Sequence, residues 1–385
     1  MQSSSWSIYH PEGRFRILAT KRLVGDAWLP ILTNANCRVE IFEGETPFGE
    51  EELISAIGNT CHGALSQLNE PWTARVLERF AAAKGRVVSS YAVGVNNIDI
   101  SAASRFHIAV CNTPGVLTEA TGELALALVF AAIRRIPESD RFMREHRFTG
   151  WLPHLMLGRQ LTGRTLALFG AGRIGQFIAR ALCGGFGMNV LYWNPHARPQ
   201  LEEYVHDVAQ LTSRHHLPQP WIRRTENIDE LFKEGDVIVL ASLYHSDLHH
   251  LVNAQRFALC KESAVLVNIS RGPIVDESAL VAHLRAHPDF RAGLDVYEFE
   301  PKLVDGLTDL PNVVLSPHTG SATLEARSAM AVLATYNCVG VLLEYPANHS
   351  HPVSAWQKDS PPRLVPSLIN ATELGWKKEI EYQEL

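Results

Sequence analysis

One short stretch limits the possible folds more than any other: Gly170-Ala171-Gly172-Arg173-Ile174-Gly175. It follows the β-branched and apolar run TLALFG, leads into the helical pattern QFIARALCGGFG, and is succeeded by a second strand-like run, NVLYW. A lone G-x-G-x-x-G carries little weight, but one that joins strand to helix inside a βαβ unit has a mechanical meaning. Gly170 permits a tight turn, Gly172 lets backbone approach a pyrophosphate, and Gly175 lets helix and strand pack closely. The helix N-terminus then faces the phosphates with unpaired N–H groups and a positive dipole end, and Arg173 and Ile174 of the turn are counted with the cofactor contacts. No Lys-Ser/Thr ending of a phosphate-transfer loop follows, which argues against nucleotide hydrolysis. A bound dinucleotide means redox chemistry or redox sensing.

Around this turn, strand-like runs alternate with helical patterns along the whole chain. RFRILAT, CRVEIF, GALSQL, RVVSSYA and HIAVCN form a first series; TLALFG, NVLYW, DVIVLAS, AVLVNIS, AGLDVY and NVVLSPH form a second. Such alternation predicts parallel sheets covered by helices. At 385 residues, and about 150 residues per domain, the chain should hold two domains. The fold class expected is α/β, with two Rossmann-like or flavodoxin-like doubly wound parallel-sheet domains and a cleft between them. The segment TLEARSAMAVLATYNCVGVLLEY is helical in pattern and comes after the last strand of the second series, so it is expected to return to the first domain. The boundaries expected are 1–119 plus 322–385 for a discontinuous domain and 120–321 for the dinucleotide-binding one.

Three further segments carry structural expectations. TEATGELALALVFAAIRRIPESDRFM is apolar enough for a helix buried on most sides, of the kind found at domain or subunit interfaces. Residues 200–227 are longer than a usual connection and read as an excursion beside the dinucleotide domain. His206, His215 and His216 lie in it with no Cys or carboxylate at ligand spacing, so a solvated loop is expected there rather than a metal site. Residues 346–385, rich in Pro, Ser and Asn, read as a tail laid over the surface.

A net charge of -6 with 20% charged residues gives no footprint for nucleic acid or for a membrane surface. No apolar run is long enough to span a bilayer, and the polar start MQSSSWSIYHPEGRF does not resemble a signal sequence. The expectation is a soluble, unprocessed protein. Six scattered cysteines without a C-x-x-C pair read as reduced core residues in a reducing compartment.

Polar groups that could do chemistry fall where ligands bind in open α/β sheets, at the carboxyl ends of the second series of strands. NISRGPIVDE places Arg271 after its strand; GLDVYEFEP places Asp295 near a strand end, with Glu298 and Glu300 beyond; LSPHTGSAT places His318 at the last strand's end. Adding a hydride to a ketone requires the carbonyl oxygen to be polarised and then protonated. Arg271 supplies a fixed charge and a planar fork for a carboxylate and a carbonyl oxygen. His318 can deliver a proton near neutral pH, and a carboxylate beside it, with Glu300 the best candidate, would orient its ring. Singly, each has a plainer reading: a surface ion pair, a turn cap, a core histidine.

Taken together, GAGRIG, NISRGPIVDE, GLDVYEFEP and SPHTGSAT resemble the D-isomer-specific 2-hydroxyacid dehydrogenase family. VEIFEG, AVGVNNIDI, CNTPGVLTEATGELA and GWLPHLMLG further resemble its hydroxypyruvate and glyoxylate reductase branch, especially the plant-type members. The resemblance implies NAD(P)H-dependent reduction of hydroxypyruvate to D-glycerate, with glyoxylate as a second substrate. It also implies a substrate domain built from both chain ends and a homodimer made through the cofactor domain. Residue by residue, it makes Arg271 the substrate clamp, Glu300 the partner of the acid/base and His318 the proton donor. Val93 and Gly94 become the turn whose N–H groups hold the substrate carboxylate. Thr121 and Asp295 line the nicotinamide half of the site; Ser242, which ends DVIVLAS, and Gly320, after His318, are counted with the cofactor contacts. Trp151 is the candidate for an aromatic residue reaching a neighbouring subunit's active site, its alternative being a packing residue at the dimer contact.

Two departures from the branch matter. The chain ends Gln383-Glu384-Leu385, with no basic residue where a peroxisomal receptor reads one, so a cytoplasmic location is expected. Plant NADH-preferring members carry Asp where this chain has Asn194. A carboxylate there would repel a 2′-phosphate by roughly 4 kcal/mol per unit charge at about 4 Å and an effective dielectric near 20. Asn194 removes that repulsion and can bond a ribose hydroxyl, while His196 and Arg198 follow where they could meet the phosphate. Pro195 stands where NADPH-using relatives often have Arg. The reading favours NADPH over NADH, with use of both as the alternative if Arg198 points to solvent. Other readings left open are a dehydrogenase for another 2-keto acid and, more remotely, a dinucleotide-sensing corepressor-like protein.

Overall fold

The computed structural model describes residues 6–357 and 360–377, and its backbone forms two units, residues 1–117 with 322–385 and residues 118–321. In the first unit, six strands among the described residues make one sheet: β1 (Trp6–Tyr9), β2 (Phe15–Ala19), β3 (Cys37–Phe42), β4 (Gly63–Ser66), β5 (Val87–Ser90) and β6 (Ala109–Cys111). Their order is β1-β3-β2-β4-β5-β6, parallel throughout except for β1, which pairs antiparallel with β3. The five parallel strands thus have the 2-1-3-4-5 order of a flavodoxin-like sheet. β1 carries no sequence signal of its own; it is a short edge strand recruited by β3.

The helix Leu324–Leu342 belongs to this unit and packs against β4 and β5. Residues 346–377 do not lie on the surface as a tail. Ala347 bridges Val365, and Leu368 pairs antiparallel with Cys111, extending β6 at its open edge. Asn370, fully buried, accepts from Val110 N–H at 2.9 Å and donates to Ile108 O at 2.9 Å. A buried amide that satisfies two backbone groups of an edge strand is a plug, and it overrides the polar composition around it. Gln383, Glu384 and Leu385, on which the expected location rested, lie outside the described residues.

The second unit carries β7 (Thr165–Phe169), β8 (Asn189–Trp193), β9 (Ile222–Arg224), β10 (Val237–Leu240), β11 (Val265–Asn268), β12 (Arg291–Leu294) and β13 (Val313–Leu315). All are parallel, in the order β13-β12-β11-β10-β7-β8-β9. Alternation along β7 divides the core: Leu166 and Leu168 face one apolar cluster, Ala167 and Phe169 the other. The helix Arg173–Phe186 buries Gly175, Ile178, Ala179, Leu182 and Cys183 at helical spacing and ends at Gly187, whose φ of +60° suits a left-handed cap.

Two sequence expectations change here. The long apolar helix is two helices, Thr118–Ile133 and Ile136–Arg144, broken where Arg135 takes φ +57° before Pro137. The excursion at 200–227 is part of the layer structure: the helix Pro199–Arg214 packs on Arg173–Phe186, and β9 extends the sheet beside β8. His206 is therefore helical, and His215 and His216 sit at that helix's end rather than in a loop. No helix among the described residues is long and apolar enough to cross a membrane.

Candidate functional site

At the place where the strand order reverses, between β7 and β10, an α/β sheet leaves room for a ligand. Gly170 follows β7 with φ +98°, and a Cβ there would lie 2.7 Å from Ser242 N, after β10. A Cβ on Gly175 would meet Gly170 O at 2.2 Å, so the helix can approach the strand only without a side chain. On Gly172, by contrast, a Cβ would meet nothing within 4 Å. Gly172 is also the N-cap of Arg173–Phe186 and offers no side-chain cap, so the first N–H groups of that helix stay available. Ser242 Oγ is buried beside this turn with no hydrogen-bond partner among the described residues. Bare backbone, uncapped helix N–H groups and a spare hydroxyl fit a pyrophosphate-bearing dinucleotide.

Asn194, buried at the end of β8, does more than leave out a charge. Its Oδ1 accepts from Ala171 N–H at 3.2 Å, and its Nδ2 donates to His196 O at 2.8 Å. The amide thus braces the glycine-rich turn against its own loop, and only its remaining lone pair and N–H stay free for a ribose hydroxyl. Arg198 does not point into solvent: its Nε donates to Ala171 O at 2.9 Å, laying the guanidinium on the turn. His196 is exposed. Sequence reading missed Arg224, on β9, which donates to Asn194 O at 3.1 Å and Pro195 O at 3.0 Å. A second guanidinium on this loop could be found only by recognising β9 as a strand beside β8.

The polar groups after β12 and β13 come together as one assembly. Asp295, 2% exposed, accepts from Thr319 N–H at 2.7 Å through Oδ1 and from Gly320 N–H at 2.8 Å through Oδ2. Burial pushes its pKa up, and the two backbone bonds pull it back. Asp295 therefore caps the turn that carries His318. Gly320 is packed tightly: a Cβ there would lie 3.2 Å from Asp295 Oδ2 and 3.3 Å from the methyl of Thr121. Thr121, Asp295 and Gly320, far apart in sequence, thus touch.

His318 holds the left-handed backbone, φ +53°, fixed by N–H bonds to Asp295 O at 2.9 Å and Ser316 O at 3.1 Å. Its Nδ1 lies 2.8 Å from Glu300 Oε2. Glu300 Oε1 accepts from Tyr297 N–H at 2.9 Å. Burial alone would raise the Glu300 pKa, but its bond to His318, that histidine's charge, the Tyr297 N–H and the charge of Arg271 outweigh burial and hold it below the ordinary value. An ionised Glu300 fixes Nδ1 as the bound nitrogen and leaves Nε2 to give or take a proton. Arg271 is half-buried after β11, donating from one Nη to Ser270 O at 2.7 Å. Burial lowers its pKa and the charge of Glu300 raises it again. The remaining guanidinium donors make no hydrogen bond among the described residues.

Val93 and Gly94 follow β5 in the first unit, where Asn112 Nδ2 donates to Val93 O at 2.8 Å. Trp151 belongs to the second unit and is 82% exposed.

Residues 126–320 match the family model described as D-isomer specific 2-hydroxyacid dehydrogenase, NAD binding domain. The chain is 42% identical over 376 residues to glycerate dehydrogenase HPR, peroxisomal, of Arabidopsis thaliana, covering 96% of this chain and 97% of that one. Among solved structures, the TT0316 protein of Thermus thermophilus is similar with a TM-score of 0.74 and 36% identity, over 86% of this chain and 97% of that one. An NADPH-dependent glyoxylate/hydroxypyruvate reductase of Sinorhizobium meliloti is similar with a TM-score of 0.68 and 25% identity, over 95% and 100% of the two chains. With its glycine-rich turn, its Arg271, Glu300 and His318 assembly and these likenesses, the chain belongs to the D-isomer specific 2-hydroxyacid dehydrogenase family, whose cofactor is a nicotinamide dinucleotide.

Proposed function

We propose that the protein reduces hydroxypyruvate to D-glycerate, and glyoxylate to glycolate, with His318 as the proton donor. The observation that carries this reading is the Glu300 Oε2 to His318 Nδ1 contact of 2.8 Å, which leaves Nε2 as the proton-bearing atom. The names of the Arabidopsis and Sinorhizobium relatives support the substrate class. When bound, the reduced dinucleotide supplies a hydride to the carbonyl carbon. Arg271 grips the substrate carboxylate and polarises the carbonyl oxygen, and His318 Nε2 protonates that oxygen. Val93 and Gly94 hold the carboxylate through backbone N–H groups, making the first unit the substrate-binding one. Gly170, Gly172, Arg173, Ile174, Gly175, Ser242, Thr121, Asp295 and Gly320 hold the cofactor.

The cofactor is read as NADPH in preference to NADH. Asn194 places no charge against a 2′-phosphate, Arg198 lies on the loop that follows it, and Arg224 reaches that loop from β9. One charge-assisted bond contributes about 1.5–3 kcal/mol, or roughly 10- to 100-fold in affinity. Steady-state rates with hydroxypyruvate, glyoxylate and pyruvate, each with NADPH and NADH, test both assignments. A kcat/KM for NADH tenfold or more above that for NADPH removes the cofactor reading, and preference for pyruvate removes the substrate reading.

The same proposal includes a homodimer formed through the second unit. Ile136, Met143, Phe148, Trp151, Leu152 and Leu157 are exposed within residues 136–157, a density of apolar surface that a monomer rarely shows to water. Trp151 then reaches the partner's active site. Sedimentation showing a monomer at micromolar concentration overturns this part.

A further inference from the structure

A second histidine–glutamate cluster lies in the second unit and takes no part in the chemistry above. His249 and His250 stack with ring centroids 4.0 Å apart and planes at 19°. His250 Nε2 lies 2.6 Å from Glu298 Oε1, and one ligand atom from each of His249, His250 and Glu298 lies within 4.8 Å of the other two. His250 is held by its own N–H to Pro273 O at 2.8 Å and adopts φ +51°. The Glu298 side chain is only 8% exposed.

Behind Glu298 stands a second carboxylate. Glu277, 1% exposed, accepts from Glu298 N–H at 2.9 Å through Oε1, and its Oε2 is buried without a hydrogen-bond partner among the described residues. The two are tied reciprocally, since Glu277 N–H donates to Glu298 Oε2 at 3.4 Å, which holds the Glu298 carboxyl in place. His250 bonds the outer of the two, and His249 is stacked on His250. His249 is exposed, and its ring makes no hydrogen bond among the described residues, so it keeps a nitrogen for a ligand and opens the cluster to solvent.

We propose that His249, His250 and Glu298 form a site for a borderline divalent cation of the zinc class. Two imidazoles and one carboxylate suit such an ion, and three protein ligands leave a fourth position for water. Ligand atoms about 2.0 Å from a tetrahedral centre stand about 3.3 Å apart. The 2.6 Å contact must therefore open by about 0.7 Å, and the His249 nitrogen must close in from within 4.8 Å, shifts that side-chain rotation supplies. A filled site would tie the segment packed on the Arg271 turn to the segment that carries Glu300, by a route independent of His318.

The test uses untagged full-length protein stripped of metal and titrated with Zn²⁺ and Co²⁺, with Mg²⁺ as the hard-cation control. One equivalent of zinc and of cobalt should bind, cobalt should show the visible absorption of four-coordinate nitrogen and oxygen ligation, and magnesium should not compete. His249→Ala, at an exposed position, should keep the circular dichroism spectrum and weaken zinc binding by about tenfold or more. Glu298→Gln should weaken it likewise. Zinc affinity unchanged in both His249→Ala and His250→Ala would assign the ion to other histidines and overturn the proposal, as would failure of the folded protein to bind either ion.

Discussion

His318 meets Glu300 through Nδ1 at 2.8 Å, and His250 meets Glu298 through Nε2 at 2.6 Å; the two glutamates are two residues apart after β12, and both histidines have left-handed backbone. What surrounds each carboxylate differs. Glu300 faces the charge of Arg271 and the N–H of Tyr297 and sits below its ordinary pKa, so its pairing with His318 survives at neutral pH with Nε2 unused. Glu298 backs onto another carboxylate, and its histidine carries a second imidazole stacked on it. On the readings proposed above, one pair moves a proton and the other holds a cation. A His–Glu contact taken by itself assigns no task; the groups around the glutamate distinguish the two.

Several substitutions break or sharpen that contrast. The largest effect belongs to His318→Ala, which should lower kcat by about 10²- to 10⁴-fold, the usual loss for an acid/base group. If His250→Ala costs as much turnover, the two pairs are not distinct in role. Arg271→Ala should raise KM and lower kcat together, reducing kcat/KM by roughly 10- to 100-fold, in line with one lost charge-assisted contact of about 1.5–3 kcal/mol. A change confined to melting temperature would make Arg271 structural. His250→Ala leaves the Glu298 carboxylate buried without its partner, a cost of about 1–3 kcal/mol that metal-free thermal melts should record.

The smallest effect concerns acid stability. The folded-state pKa of Glu300 is depressed below 4.5, so the group's contribution to stability is complete above 4.5 and is lost as pH falls through the lowered value. Glu300→Gln should therefore flatten the melting temperature against pH below 4.5 relative to the parent. Glu298→Gln, tested alongside, shows whether that slope belongs to the His318 pair; equal flattening in both variants would assign it to the segment as a whole.

Much of the second unit was legible in the sequence because its signals are local. β7, the glycine turn and the next helix are contiguous, and Arg271, Glu300 and His318 each follow a short apolar run that reads as a strand. What escaped reading depends on distant partners. β9 is three residues, Ile222–Arg224, with two arginines, and becomes a strand only because β8 offers it an edge. Arg224 consequently reached Asn194 unseen. Asn194 was read for the charge it lacks, whereas its amide also braces Ala171, a bond that spacing does not reveal. His249 and His250 gain Glu298 from 48 residues away in sequence, and only the fold brings that carboxylate to them.

Asn370 gives the order of synthesis a structural meaning. β6 is finished by Leu368 and by the buried amide of Asn370, and β4 and β5 are covered by Leu324–Leu342, so the unit that leaves the ribosome first closes last. Residues 118–321 have every strand of their sheet in hand before that closure is available. Domains generally fold as units as the chain emerges. The nucleotide-binding half can therefore mature while the first sheet still waits, its last edge open, for residues made only after that half is complete.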